Sequence, residues 1–438
     1  MTKKKSIIFI LGCLVLIVAL CSFVIWPDPK PSNSSNDATE TEIKKNQALE
    51  IEIDGTNVTV KNAVPIISDF DNREGVEAVI PDFYNTGADL TKAMVTPDYY
   101  AQEGYLEKRE KDYVMKLQSS SFDEETLLFE NIFFADLPLF LANNNQVSPT
   151  GTIEFRNCYF AEGINLPNDI QKQLIFRNCD FLTEPVSASN SQFYHCKFYQ
   201  SYGDALQIGA NVVLEDSYIF NNGLGDPEKY HSDGIQIAGF GHADAYNISI
   251  DNVRIEMPRI HPHYGQNSAM LIKMDMANGY DMSFKNMILN GGAFTLYIVP
   301  TDYEMKDLHF ENLRFGHTSQ WGPVYTNESL GNVDGWAGQE VINCDMQSTV
   351  YVSSVRKEAE NFIFCATNET ESSRKLRVET DLGVTTIEVP PVLTVKQAQQ
   401  EKASYEEMNI DLPFEVAAGS WIKIYDGKEL IRYKTFAE

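Results

Sequence analysis

Two aspartates, a lysine and a histidine stand in three successive phrases of similar grammar. GDALQI (203–208) carries Asp204, HSDGIQI (231–237) carries His231 and Asp233, and LIKM (271–274) carries Lys273. Two carboxyls held a few ångströms apart repel each other when both are ionised, so one keeps its proton to higher pH. Such a pair supplies the acid and the base that hydrolysis of a glycosidic bond requires. A lysine beside it stabilises developing negative charge or contacts a uronate, and a histidine titrates near neutrality and so tunes the pair. With Lys273 or His231 as the base, and a uronate neutralised through calcium at Asp204 and Asp233, the same residues would serve a lyase instead.

These residues sit in strands, and the strands belong to a repeat. One phrase recurs as LLFENIFF (127–134), IEFRNCYF (153–160), LIFRNCDF (174–181), QFYHCKF (192–198) and VVLEDSYIF (212–220). It continues as ISIDNVRIEM (248–257), MSFKNMIL (282–289), LHFENLRF (308–315) and VINCDM (341–346). Apolar and polar residues alternate, and a short polar residue, usually Asn, follows at 131, 157, 178, 195, 216, 252, 286, 312 and 343. Alternation with period two, rich in Val, Ile, Phe and Tyr, specifies strands. A constant phrase at variable spacing, here 17 to 36 residues, marks a solenoid with loops on one side.

A second strand phrase recurs between the first ones: DALQIG (204–209), DGIQIAG (233–239), MLIKMD (270–275), FTLYIV (294–299), GPVYTN (322–327) and STVYVS (348–353). Two strand phrases per coil, with Asn at the bends, predict an all-β chain built as a right-handed single-stranded parallel β-helix over 127–368. Residues 46–126, opening with the hairpin-like IEIDGTNVTVKN, form an N-terminal β and capping region. Residues 369–438 form a small C-terminal β module over the end of the helix, with Asp426-Gly427 as a two-residue hairpin turn.

On such a ladder adjacent rungs lie about 4.8 Å apart. Asp204 then faces Asp233, and Gln207 stacks on Gln236, with Leu206, Ile208, Ile235 and Ile237 turned inward. The outward line is expected to continue through Lys273 to Tyr297. Asp204, Asp233, Lys273 and His231 are the candidate catalytic residues, and Gln207, Gln236 and Tyr297 the candidate substrate-binding ones. Tyr325, Tyr351, Trp321 and Trp336 extend a platform on which sugar rings could stack. The competing reading of Asp204 and Asp233 is as turn caps that accept backbone N–H bonds. The segment from Leu224 to Tyr230 is a long loop between their strands, and such loops build clefts.

These repeats resemble the pectin-lyase-like superfamily of right-handed parallel β-helix proteins, over roughly residues 120–366. Within it, the order of phrases is similar to that of polygalacturonase-type glycoside hydrolases, where a GDDCI-like strand precedes a GHG-like and then an RIK-like strand. GDALQI takes the first place, with Asp204 matching the second acid, SDGIQI the second, and LIKM, with Lys273, the third. The chain departs from that pattern at Gly203, where the first acid would stand, at Asp233, which replaces the histidine, and at Leu271, which replaces the arginine. An NTD-like acid is missing from TEPVSASNSQFYHCKF. The resemblance implies activity on a polysaccharide, with Asp233 and His231 supplying what those departures remove.

The 438 residues carry a formal charge of −27, which argues against nucleic acid as a partner. Lys3, Lys4 and Lys5 precede an uncharged apolar run from Ile7 to Trp26, long enough to span a bilayer. No small-residue cleavage site follows it, so residues 1–26 read as cytoplasmic lysines and an uncleaved signal anchor, with a secreted, cleaved form as the alternative. Residues 27–45 are a polar flexible linker. The expected location is the cell membrane, single-pass, with the C-terminal region outside.

Cys13 and Cys21 fall in the apolar run. Cys158, Cys179, Cys196, Cys344 and Cys365 occupy strand phrases and are expected as buried thiols. No CxxC or HxxxH pair suggests zinc, and His261 and His263 in PRIHPHYG read as a rigid loop. Two functions fit: a cell-surface glycoside hydrolase or lyase acting on a uronate-containing or related glycan, or a non-catalytic, glycan-binding or adhesive surface protein.

Overall fold

The computed structural model describes residues 49–66, 79–116, 126–142, 151–166, 173–224, 231–257, 266–299, 301–316, 319–326, 340–342, 350–358, 361–370, 372–391, 408–415 and 419–436. The apolar run 7–26, the linker 27–45, His261, His263, Trp336 and Cys344 lie outside them. Among the described residues no helix is long and apolar enough to cross a membrane. The structure is nearly all β, with 3% helix and 58% strand, and a large parallel sheet that curls into a half-barrel.

That sheet is the first repeated phrase, stacked on itself. Its main path runs through Thr126–Glu130, Thr152–Arg156, Gln173–Arg177, Ser191–Tyr194, Val212–Phe220, Ala245–Glu256, Gly279–Lys285, Met305–Glu311 and Glu340–Ile342. Every step is parallel, and the register aligns Phe129, Phe155, Phe176, Phe193, Leu214, Ile250, Phe284 and Phe310 in one column. The phenylalanines at its start stack face to face, with centroids 5.0 to 5.2 Å apart. Each such pair adds about 0.5–1.5 kcal/mol to the burial of its rings.

The bends explain the Asn column. Asn131, Asn157, Asn178, His195, Asp216, Asn252, Asn286 and Asn312 all have φ between 49° and 57°, a left-handed conformation that Asn and Asp tolerate best after Gly. Asn157 donates to Asn131, and Asn312 to Asn286, at 2.7 and 2.9 Å. A second left-handed column, at Asn190, Asn211, Asn247, Asp281 and Asp307, marks another bend just before the same strands. Cys158, Cys179 and Cys196 are free, fully buried thiols, each directed at a carbonyl of the preceding rung.

The second phrase forms a six-stranded parallel sheet: Val186–Ala188, Leu206–Ile208, Ser232–Ile237, Gln266–Lys273, Phe294–Val299 and Gly322–Thr326. STVYVS does not extend it. The strand Val350–Glu358 instead pairs antiparallel with Asn361–Asn368, which pairs antiparallel with Met408–Glu415. The C-terminal hairpin forms, with Trp421–Asp426 against Glu429–Thr435, but its two-residue turn is Gly427-Lys428 instead of Asp426-Gly427, with Gly427 at φ 62° and Asp426 paired with Glu429.

The N-terminal hairpin also forms, from Ile51–Asp54 and Asn57–Val60. The segment after it does not stop at the first rung. Residues 79–89 run along the stack, bonding in turn to Asn252, Arg254, Lys197, His195, Asp180 and Asn157. Gly87 is required on this path. Its φ is 85°, and a Cβ there would lie 1.9 Å from Asp180 Oδ1.

Candidate functional site

The six-stranded sheet sets the address of the acidic pair. Leu206 registers with Ile235 and Gln207 with Gln236, so Asp204 and Asp233, each two residues upstream, stand on neighbouring rungs. They are joined directly: Asp204 Oδ1 accepts the Asp233 backbone N–H at 2.8 Å. Asp204 Oδ2 accepts from Gln207 Nε2 at 2.9 Å, and Ser187 Oγ donates to Gln207 Oε1 at 2.8 Å. Asp204 therefore does cap the turn into the next strand. Gly234 follows because no Cβ fits there, with Ala269 O 2.5 Å from where it would be.

Asp233 is placed differently. Its Oδ1 accepts from Ser268 Oγ at 2.5 Å and from Asn267 Nδ2 at 3.1 Å. Its Oδ2 is buried with no hydrogen-bond partner among the described residues. Asp204 is 7% exposed and Asp233 only 1%. Burial pushes the Asp233 carboxyl well above the usual carboxylate range, and the Asp204 charge adds to it. Burial also raises Asp204, against the pull of the Gln207 and Asp233 hydrogen bonds. The pair is thus proton-retaining as expected, but it lies beneath the surface, not on it.

The outward line runs Ser187, Gln207, Gln236, Leu271, Tyr297, Tyr325. This corrects the expected position of Lys273. A register shift between Ser232 and Asp233 sets Asp233 opposite Ser268 and Gln236 opposite Leu271, so Lys273 falls two residues farther along, opposite Val299. Lys273 is paired with Asp275 at 2.9 Å. It still acts on Tyr297: burial raises that phenol first, Tyr325 adds to the rise, Lys273 opposes it and Asp233 adds to it. His231 is exposed one residue before its strand, and no polar contact fixes its ring among the described residues.

Beyond Leu271 the face turns aromatic. Tyr297 and Tyr325 meet edge to face with centroids 4.7 Å apart, and Phe294 lies 5.0 Å from Tyr325 and 5.5 Å from Trp321. Trp321 is 66% exposed. Tyr351 does not belong to this cluster: it is buried with Ile80 and Ile288, beside the Arg254 guanidinium. Phe294, Asn267 and Ser268 escaped the reading of the sequence. Phe294 opens the FTLYIV phrase and registers with Ser268, and Asn267 and Ser268 lie just upstream of MLIKMD, where the register shift sets Ser268 opposite Asp233.

The pair does not fit calcium. Both Asp204 oxygens face N–H donors, which a cation would repel, and calcium takes six to eight oxygen ligands. Among the described residues no group of three His, Cys, Asp or Glu side chains is arranged to hold a metal ion. What the face offers is hydroxyl and amide hydrogen bonding at one end, aromatic rings at the other, and a retained proton beneath. No protein-family model matches this chain, and no curated protein matches it.

Proposed function

We propose that the protein is a polysaccharide-active enzyme, a glycoside hydrolase that lays a glycan chain along the outward face of the six-stranded sheet. In this reading the stacked strands form a right-handed parallel β-helix of the pectin-lyase-like type. The apolar run 7–26 and its linker hold it at the outer surface of the cell membrane. The observation that carries the proposal is Asp233: a carboxyl shifted towards its protonated form, with one buried oxygen that no described residue engages.

The chemistry follows from that oxygen. Asp233 donates its proton to the glycosidic oxygen as the C–O bond breaks. Asp204 accepts a proton from the water that attacks the anomeric carbon, and the products are two shorter chains. Gln207, Gln236 and Tyr297 orient the sugars, with Lys273 acting on Tyr297 and His231 exposed at the margin of the pair. Because Asp233 Oδ2 has no solvent access, substrate must displace what covers it.

The same burial favours a second reading, glycan binding without cleavage, in which both aspartates only hold the bend and the exposed rings do the binding. Incubating the full chain and its Asp233→Asn variant with plant, algal and bacterial polysaccharides separates the two. New reducing ends from the wild type that are lost in the variant support the hydrolase. Unsaturated, ultraviolet-absorbing products identify a lyase. Binding of a glycan with no product from any of them leaves the binding protein.

A further inference from the structure

Resting on the reading of this face as a glycan site, we infer that its ligand is a neutral polysaccharide, a chain of uncharged pyranoses, docked at the aromatic end around Trp321. Aromatic rings stack on the C–H faces of neutral and acidic sugars alike, so the rings alone do not choose between them. The charges do. The outward line presents a hydroxyl at Ser187, amides at Gln207 and Gln236, and phenols at Tyr297 and Tyr325. These groups exchange hydrogen bonds with sugar hydroxyls and leave a carboxylate uncompensated.

Among the described residues, the cation on a strand of this line is Lys273, which is 37% exposed on its side chain and already paired with Asp275. A uronate would have to displace Asp275 to use it. Beneath the line lie two carboxyls, and the protein as a whole carries −27. An anionic chain approaching this face meets repulsion with no basic cluster among the described residues to offset it. A uronate-containing glycan, the expectation raised by Lys273 in the sequence, needs the opposite arrangement.

The test is calorimetric titration of the full chain, purified in a detergent without a sugar headgroup. The probes are cellohexaose, mannohexaose and hexagalacturonate, at ~50 and ~500 mM NaCl. The expected result is that a neutral hexaose binds about tenfold or more tightly than hexagalacturonate, with its affinity constant to within about twofold between the two salt concentrations. Trp321→Ala, at an exposed position, should weaken that binding by about tenfold. Tighter, salt-sensitive binding of hexagalacturonate overturns the inference and leaves the glycan reading standing. Binding of none of the three overturns both. Neutral binding untouched by Trp321→Ala overturns the placement at the aromatic end.

Discussion

Where residues 79–89 cross the large sheet, Arg254 and Glu256, and Lys197 and Asp180, are buried as opposite charges; at the bend of the six-stranded sheet, Asp204 and Asp233 are buried as like charges. The first cluster is closed. Arg254 Nη2 donates to Glu256 Oε1 at 2.7 Å, Tyr218 donates to the other Glu256 oxygen at 2.9 Å, and the Arg254 guanidinium lies 4.9 Å from the Tyr218 ring centre. Asp180 accepts from Ala88 N–H and Tyr199. The second cluster is open at Asp233 Oδ2. Burying charge is costly unless it is paired, so a closed cluster is what a bend or a clasp needs for its own stability. An oxygen left open is accounted for by no bond among the described residues, and that difference makes Asp233 the functional candidate.

The largest effect should come from breaking the closed cluster. Arg254→Ala leaves Glu256 buried without its cation, and breaking a buried pair in this way costs about 3–5 kcal/mol. Urea unfolding of the full chain reads it directly. A loss below about 1 kcal/mol would mean that Glu256 takes up a proton at little cost, and that the clasp does not depend on charge.

The clasp was also the part least legible in the sequence. VIPDFYNTGADL (79–90) has no period, and its partners lie up to 271 residues away. What it binds is decided by the stack and by the strand Val350–Glu358, where Ser353 donates to Asp82, not by its own pattern. The ladder was legible because its information is local: every rung repeats its alternation, and Asn at the bends answers the left-handed φ that the turn imposes. The pairing of Asp204 with Asp233 was legible for the same reason. The place of Lys273 was not, because alternation puts Leu271 and Lys273 on the same face and does not say which of them registers with Gln236; the pairing sets Leu271 there. Burial of the aspartates was hidden as well, since a residue that opens a strand lies at the bend, where side chains need not follow the strand's alternation.

A middle-sized effect tests the open cluster through pH. Asp233 has a folded-state pKa above its unfolded value, so the folded state prefers its protonated form. Its contribution to stability is whole below the unfolded value, about 4, and is lost as pH rises through the folded value. Asp180 and Asp204 are shifted in the same direction, so these three carboxyls each lower the stability of the wild type as pH rises over this window, against the opposite contributions of Asp98 and Glu311. Asp233→Asn removes one of the three contributions and should flatten the profile. Profiles of the wild type and the variant that remain parallel would show that Asp233 has an ordinary pKa, and the argument for a retained proton would fall.

The smallest effect is expected at Lys273, and it sharpens the comparison most. Its pair with Asp275 is exposed at both ends, 37% and 41%, and solvent-screened pairs of this kind contribute less than about 0.5 kcal/mol. Lys273→Ala should therefore leave the unfolding midpoint nearly unchanged. If the open oxygen of Asp233 is the reacting acid and the ligand is neutral, turnover should fall by no more than about threefold, since Lys273 touches the site only through its field on Tyr297. A fall of about a hundredfold at unchanged stability would put the ammonium against substrate or the breaking bond. It would restore a uronate as the ligand despite the register, and the face would then have to be read from Lys273 outward instead of from Asp233.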